Sequence, residues 1–207
     1  MIKVENIETF GLYGAMRGMR NPLNSWDKAD TTVYQGHDKE FVNIGVNDLN
    51  LATRLIKAGT EHRKFLRMIH VQMDVTAPLY WWKEADTYKV GTTANSCSTM
   101  HKIQAKEFTV DDFSTEHLYD DEYELLKKVI EALNGDRELY LESLKKNDWW
   151  QMIQLLPSSY NQTRNVMLNY EVLANIYKSR KDHKLDEWRD FCKWIKSLPY
   201  SELIIGE

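Results

Sequence analysis

The sequence predicts an α+β fold in a single domain spanning residues 1–207. Three observations carry this expectation. Apolar residues recur three and four apart along much of the chain, the stripe of helices packed on a core. A few short runs alternate apolar and polar residues instead, which is the period of strands. The length of 207 residues, with 43% apolar and 28% charged side chains, suits one ordinary globular core.

The elements follow in order. Ile2, Val4 and Ile7 mark an opening strand over residues 2–10. Gly11, Gly14 and Gly18 then give an irregular or short helical connection, and residues 21–40, with Asn-Pro, Asn-Ser and Gly36-His37-Asp38, read as loop. A helix starts with Asn47 as cap, carries Leu51, Leu55 and Ile56 on one face, and ends at Gly59. In residues 68–75, Ile69, Val71, Met73 and Val75 alternate with His70, Gln72 and Asp74, giving the clearest strand. Its polar face meets solvent or lines a cavity.

Thr76 as N-cap and Pro78 in the first turn open the next helix, which carries Tyr80, Trp81 and Trp82. The acidic run 116–124 caps a helix whose stripe is Tyr123, Leu125, Leu126, Val129, Ile130 and Leu133, and which stops at Asn134-Gly135. Short helices over 136–146 and 148–155 reach Pro157. A strand over 163–168 leads to a helix from Tyr170 to Arg180, and a last helix runs over 185–197 before Pro199.

Composition excludes several functions. Net charge is −4, from 27 basic against 31 acidic side chains, which argues against nucleic-acid binding by phosphate neutralisation. No apolar run reaches membrane-spanning length, and Met-Ile-Lys-Val-Glu lacks the pattern of a secretory signal, so a cytoplasmic protein without membrane association is expected. Cys97 and Cys192 lack metal-ligand spacing and read as two free thiols. His37, His62, His70, His101, His117 and His183 are never three or four apart, so no metal site is expected. Neither a phosphate loop nor a Gly-x-Ser-x-Gly elbow is present. Cys97 with His101 has no orienting third residue and makes a poor nucleophilic site. Seven Trp, eleven Tyr and six Phe make up 12% of the chain; such rings stack on flat heterocycles, but fill cores and interfaces more often.

Two regions carry candidate chemistry. Between Gly91 and Lys102 stand Thr92, Thr93, Asn95, Ser96, Ser98, Thr99, His101 and Lys102, hydrogen-bond donors and cations suited to an anion. The stretch is a pocket edge or a polar surface loop. Asn169 and Arg180 are eleven residues apart, which leaves them about 20° from one helical face. They flank one site, or Arg180 simply complements a helix C-terminus.

Glu61-His62, the alternating strand, the helix entering the polar stretch, and then Leu156-Pro157, Thr163-Arg164, Asn169, Asn175 and Arg180 together resemble the flavin-dependent thymidylate synthases. The spacing of Asn169, Asn175 and Arg180 is the more specific part, and the resemblance covers about residues 47–197. It implies an α+β subunit with a small mixed sheet and packed helices, assembled as a homotetramer. It further implies FAD as cofactor, NADPH and methylenetetrahydrofolate as co-substrates, and methylation of dUMP at C5. Arg180 falls on the position that activates the uracil, while His62, Lys83, Asn169 and Asn175 fall on flavin positions. Lys89, Ser96, Ser98, His101, Arg164 and Arg180 become the nucleotide-binding set.

The sequence also departs from the family pattern. Trp81-Trp82-Lys83 replaces an Arg-His-Arg triplet, Ile56 and Ala58 replace a His and a Thr, and Glu171 replaces an Arg. Counting from His62 without gaps puts Lys89 on an acidic position and Gly91 on a serine; a shifted register brings Ser96, Ser98 and His101 onto the pattern. A divergent enzyme, a nucleotide- or anion-binding homologue that has lost the redox reaction, and a protein with the fold alone all remain open.

Overall fold

The computed structural model describes residues 1–36 and 40–206. Among these the first half runs β1 (Lys3–Phe10), α1 (Leu12–Gly18), β2 (Thr32–Gln35), β3 (Glu40–Asn43), α2 (Val46–Lys57), β4 (His70–Pro78), α3 (Leu79–Ala85) and β5 (Thr92–Ser96). The second half adds α4 (Thr99–Lys102), α5 (Asp120–Ser143), α6 (Lys146–Leu155), β6 (Asn161–Asn169), α7 (Tyr170–Arg180), α8 (Asp186–Ile195) and α9 (Glu202–Ile205). The fold is α+β, as expected.

One sheet has the strand order β1-β4-β6-β5. It is antiparallel, where a mixed sheet was expected. The side chains of β4 and β6 record the direction: the Thr76 and Thr163 hydroxyls meet at 2.7 Å, and Asn165 Nδ2 donates to Asp74 Oδ1 at 2.7 Å, so the pairing advances on one strand as it retreats on the other. Ile69 and the β4 residues Val71, Met73 and Val75 are buried while His70, Gln72 and Asp74 are half-buried, the two-faced burial that alternation predicts. The strand β1 carries a left-handed residue, Asn6, at φ 51°. A second, two-stranded sheet pairs β2 with β3 from Thr32↔Asn43 to Gln35↔Glu40, where loop was expected. His37 and Asp38, part of that loop expectation, lie outside the described residues.

Several helix ends differ from the sequence reading. Thr76 is a strand residue, and α3 begins only after Pro78, which occupies its N-cap position. Asn47 does not cap α2; its N–H and that of Asp48 donate to the Asp30 carboxylate at 2.8 and 3.0 Å, so the cap comes from a remote loop. Asn134-Gly135 does not stop α5, which continues for 24 residues to Ser143 and ends at Leu144 in the left-handed region (φ 54°). Asn134 instead brackets the backbone of Phe108, accepting from its N–H at 2.8 Å and donating to its carbonyl at 2.9 Å. Leu125 points out of the core and is exposed.

The chain's contacts gather into two compact units. The first comprises Met1–Val4, Asp74–Thr87 and Ala94–Asn165. Its core holds Ile103, Phe108, Phe113, Leu126, Ile130, Leu133 and Met152, against which Tyr160 and Trp149 pack. The second comprises Glu5–Met73, Tyr88–Thr93 and Val166–Glu207. Within it α7 packs on α8, α9 and the turn Lys64–Met68, burying Tyr170, Leu173, Ile176, Trp188 and Leu203. A buried ion pair, Arg20 Nε to Asp48 Oδ1 at 2.5 Å, belongs to the same unit.

Candidate functional site

The expected site residues fall in both units. In the second, α7 carries three of them because its sequence is capped at one end and cationic at the other. Asn169 is the N-cap, its Oδ1 accepting from Val172 N–H at 3.0 Å, and it is buried. Gly91 approaches the same amide: a Cβ there would lie 2.8 Å from Asn169 Nδ2, and its φ of +80° is a glycine conformation. Arg180 closes the helix, half-buried. Its Nε donates to the Tyr88 hydroxyl at 3.0 Å, and its guanidinium carbon lies 4.9 Å from the ring centre of the fully buried Trp188 and 5.8 Å from that of Tyr88. Tyr88 and Trp188 themselves meet edge to face at 6.0 Å. The result is a cation set against two aromatic rings that also touch each other.

Other positions stand apart from this box. Asn175 is exposed on α7, His62 is exposed in the turn after α2, and Lys89 is exposed beside Tyr88. Glu171, standing where the resemblance expects an arginine, is buried and accepts from Arg63 Nη2 at 2.9 Å. A cation is therefore present at that place, supplied by the residue after His62.

In the first unit, Ser98 caps α4 by accepting from His101 N–H at 3.1 Å. Cys97, Ser98, Thr99, Lys102, Lys106, Tyr160 and Gln162, with apolar Ile103 and Phe108, line a cavity of about 240 Å³. Arg164 lies behind it, with Nε donating to Gln162 Oε1 at 2.9 Å, Nη1 to Asp86 Oδ1 at 2.7 Å, and its guanidinium stacked 4.2 Å over Trp82. Gln162 in turn donates to the Cys97 carbonyl at 2.9 Å. Arg164 thus positions a lining residue. Ser96, His101 and Lys83 are exposed and do not line the cavity, and Trp81 and Trp82 are buried.

Two lysines line the cavity, and one of them, Lys106, is paired with Asp112. A hydrogen bond from Lys106 to Asp112 is the main cause holding the Lys106 pKa above its ordinary value. Burial, assisted by Asp112, pushes the Tyr160 phenol up, so it stays a neutral donor. Burial likewise pushes the Cys192 thiol up to about 11, so that thiol is inert at neutral pH. Among the described residues no group of three His, Cys, Asp or Glu side chains stands ready for a metal ion, and no helix is long and apolar enough to cross a membrane.

Sequence reasoning missed Tyr88, Trp188, Lys106, Tyr160 and Gln162. Tyr88 and Trp188 are 92 and 8 residues from Arg180 in sequence, respectively, and no local pattern links the three. Tyr88 sits just ahead of the polar stretch, which was its one available signal.

By sequence the chain matches no family model and no curated protein. By structure it is similar to thymidylate synthase X from Helicobacter pylori with FAD and dUMP, at TM-score 0.70 and 17% identity, over 100% of this chain and 98% of that one. A second structure of the H. pylori flavin-dependent thymidylate synthase, complexed with FAD and dUMP, gives 0.69 and 18% over 99% and 98%. The UMP/dUMP methylase PolB from Streptomyces cacaoi, bound with 5-Br dUMP, gives 0.61 and 13% over 95% and 89%. At such identities the likeness shows the fold.

Proposed function

We propose, from a fold shared with dUMP-binding methylases, that this protein is a divergent flavin-dependent thymidylate synthase-like protein that takes dUMP or a related pyrimidine nucleotide. The observation that carries this is the posture of Arg180, held by the Tyr88 hydroxyl and the Trp188 ring. Methylation at C5 draws electron density from the ring toward a carbonyl oxygen, and a guanidinium opposite that oxygen stabilises the developing charge. Because two aromatic neighbours already orient the guanidinium, little rearrangement is left for the moment of binding. Taken by itself, the first unit has a cavity where Ser98, Lys102 and Tyr160 offer hydroxyl and ammonium donors of the kind an anion takes. Lys89, Ser96 and His101 are exposed and accessible to ligand, and Arg164 acts through Gln162.

The shared fold would call for FAD as the source of reducing chemistry, with NADPH and methylenetetrahydrofolate as co-substrates and a homotetramer as the assembly. The flavin positions do not build a cradle within either unit. His62, Lys83 and Asn175 are exposed on separate elements, Asn169 has spent its oxygen on the helix cap, and the two tryptophans in place of cations are buried. That observation favours a second function, nucleotide binding without the redox reaction.

Calorimetry with dUMP and the absorbance spectrum and native mass of the purified protein separate these. Near-stoichiometric flavin with Arg180-dependent dUMP binding supports the methylase. Colourless protein that binds dUMP, with affinity lost by tenfold or more in Arg180→Gln, supports the nucleotide-binding protein. Absence of dUMP binding overturns both.

A further inference from the structure

The helix α2 has a polar stripe without a carboxylate. Asn47, Asn50, Arg54 and Lys57 are spaced three, four and three apart, so they share one face, while Asp48, Leu51 and Ala52 are buried. These four residues, with Thr53, Arg20, Asp27 and Lys28, line a cleft of about 790 Å³ within the second unit. Its size is that of a small-molecule site.

The charges in this cleft do not cancel. Lys28, Arg54 and Lys57 form no side-chain ion pair or hydrogen bond among the described residues. The carboxylate of the lining is Asp27, and the charge of Arg20 is met by Asp48, which leaves an excess of two positive charges. Arg54 and Lys57 also complement the C-terminal end of α2, but Lys28 comes from a different segment and gains nothing from that dipole.

Arg20 supplies the second, independent observation. It is the most buried of the lining residues, at 3% exposure. Its Nε binds Asp48 and its Nη1 donates to the Ser25 carbonyl, but Nη2 has no acceptor. Asp48 cannot fill it, since its Oδ2 already accepts from the Asp30 and Thr31 N–H groups and the Thr31 hydroxyl. A buried guanidinium N–H without a partner is unfavourable, because it has given up its water for nothing in return. An entering anion is the natural acceptor.

We propose that this cleft is a binding site for a multiply charged phosphate group, with Arg20 as its buried donor and Lys28, Arg54 and Lys57 as its rim. None of His62, Asn169, Asn175, Arg180 or Tyr88 lines it, so it is separate from the nucleotide site proposed above. Amides from Asn47 and Asn50 complete the donor set on the α2 side.

The test is calorimetry with inorganic pyrophosphate at low salt on the full chain. Wild-type protein binds, Arg54→Gln/Lys57→Gln weakens binding by tenfold or more with an unchanged melting temperature, and Lys83→Gln and Arg180→Gln leave it intact. ADP in place of pyrophosphate identifies the source: equal affinity assigns a free polyphosphate, and tighter binding assigns one carried by a nucleotide. Wild-type protein that fails to bind pyrophosphate, or a double variant that binds as tightly as wild type, overturns the proposal. So does equal weakening by Lys83→Gln, which would make the effect one of overall charge.

Discussion

Arg180 depends on Tyr88 for direction and on Trp188 for a surface to lie against. Tyr88→Phe keeps the ring and removes the acceptor of the Nε hydrogen bond. A hydrogen bond to a charged group is worth about 1.5–3 kcal/mol, of which the retained ring contact preserves part. The expected result is a five- to tenfold loss of dUMP affinity with a melting temperature within a few degrees of wild type. Calorimetry beside thermal unfolding reads both, and an unchanged affinity would remove Tyr88 from the site. Arg180 was singled out as a candidate by its spacing from Asn169 and Asn175. Its holders were not, since the box closes only when a segment 92 residues upstream folds against α7. Likewise Ser98 stood out in a run of hydroxyls, whereas Tyr160 and Lys106 reach that cavity from elements whose local sequence looks like core and surface.

Among the elements, α2 shows a helix start that no local motif encodes. Gly45 at its N-cap offers no side chain, and Asp30, from the segment before β2, accepts from both Asn47 and Asp48. Asp30→Ala should therefore cost about 1 kcal/mol, a lost cap, and hydrogen exchange should accelerate at the Asn47 and Asp48 amides. Protection that survives the substitution would refute the capping role. The strand β4 was legible because burial alternates from His70 to Ala77, and the helix α7 because Val172, Leu173, Ile176 and Tyr177 recur at helical spacing. The hairpin of β2 and β3 was not, because four-residue strands carry too few alternations and here both bear exposed aromatics, Tyr34 and Phe41. Asn134-Gly135 reads as a stop only if the chain has nothing better to do there. The Asn134 amide instead serves the Phe108 backbone, and continued packing of α5 on α6 outweighs the roughly 1 kcal/mol cost of an internal glycine.

For the whole molecule, Asp48 contributes to acid stability, as does Glu116, whose carboxyl is also held below its ordinary value. Burial pushes the Asp48 carboxyl up, but bonds from Thr31, Arg20 and the Thr31 and Asp30 amides outweigh burial and hold it below the ordinary value. A carboxyl lowered in the fold stabilises the protein above its unfolded pKa, about 4, and loses that contribution as pH falls through the folded value. The urea midpoint should accordingly fall below about pH 4. Asp48→Asn should flatten this dependence, and at neutral pH should cost about 3–5 kcal/mol because Arg20 is left buried without its counter-charge. A variant that retains the full acid slope would assign the effect to other carboxylates.

The edge of the main sheet bears on how copies of the chain can meet. An exposed outer strand is ordinarily a template on which a second chain can lay its own strand. In β1 the left-handed Asn6 interrupts the pleat, leaving three residues on one side and four on the other. A neighbour aligned along this edge loses register at that point, and Glu5 and Glu8 add charge to it. Along this edge, extension of the sheet by a second copy is disfavoured, and the interruption rests on a single backbone torsion.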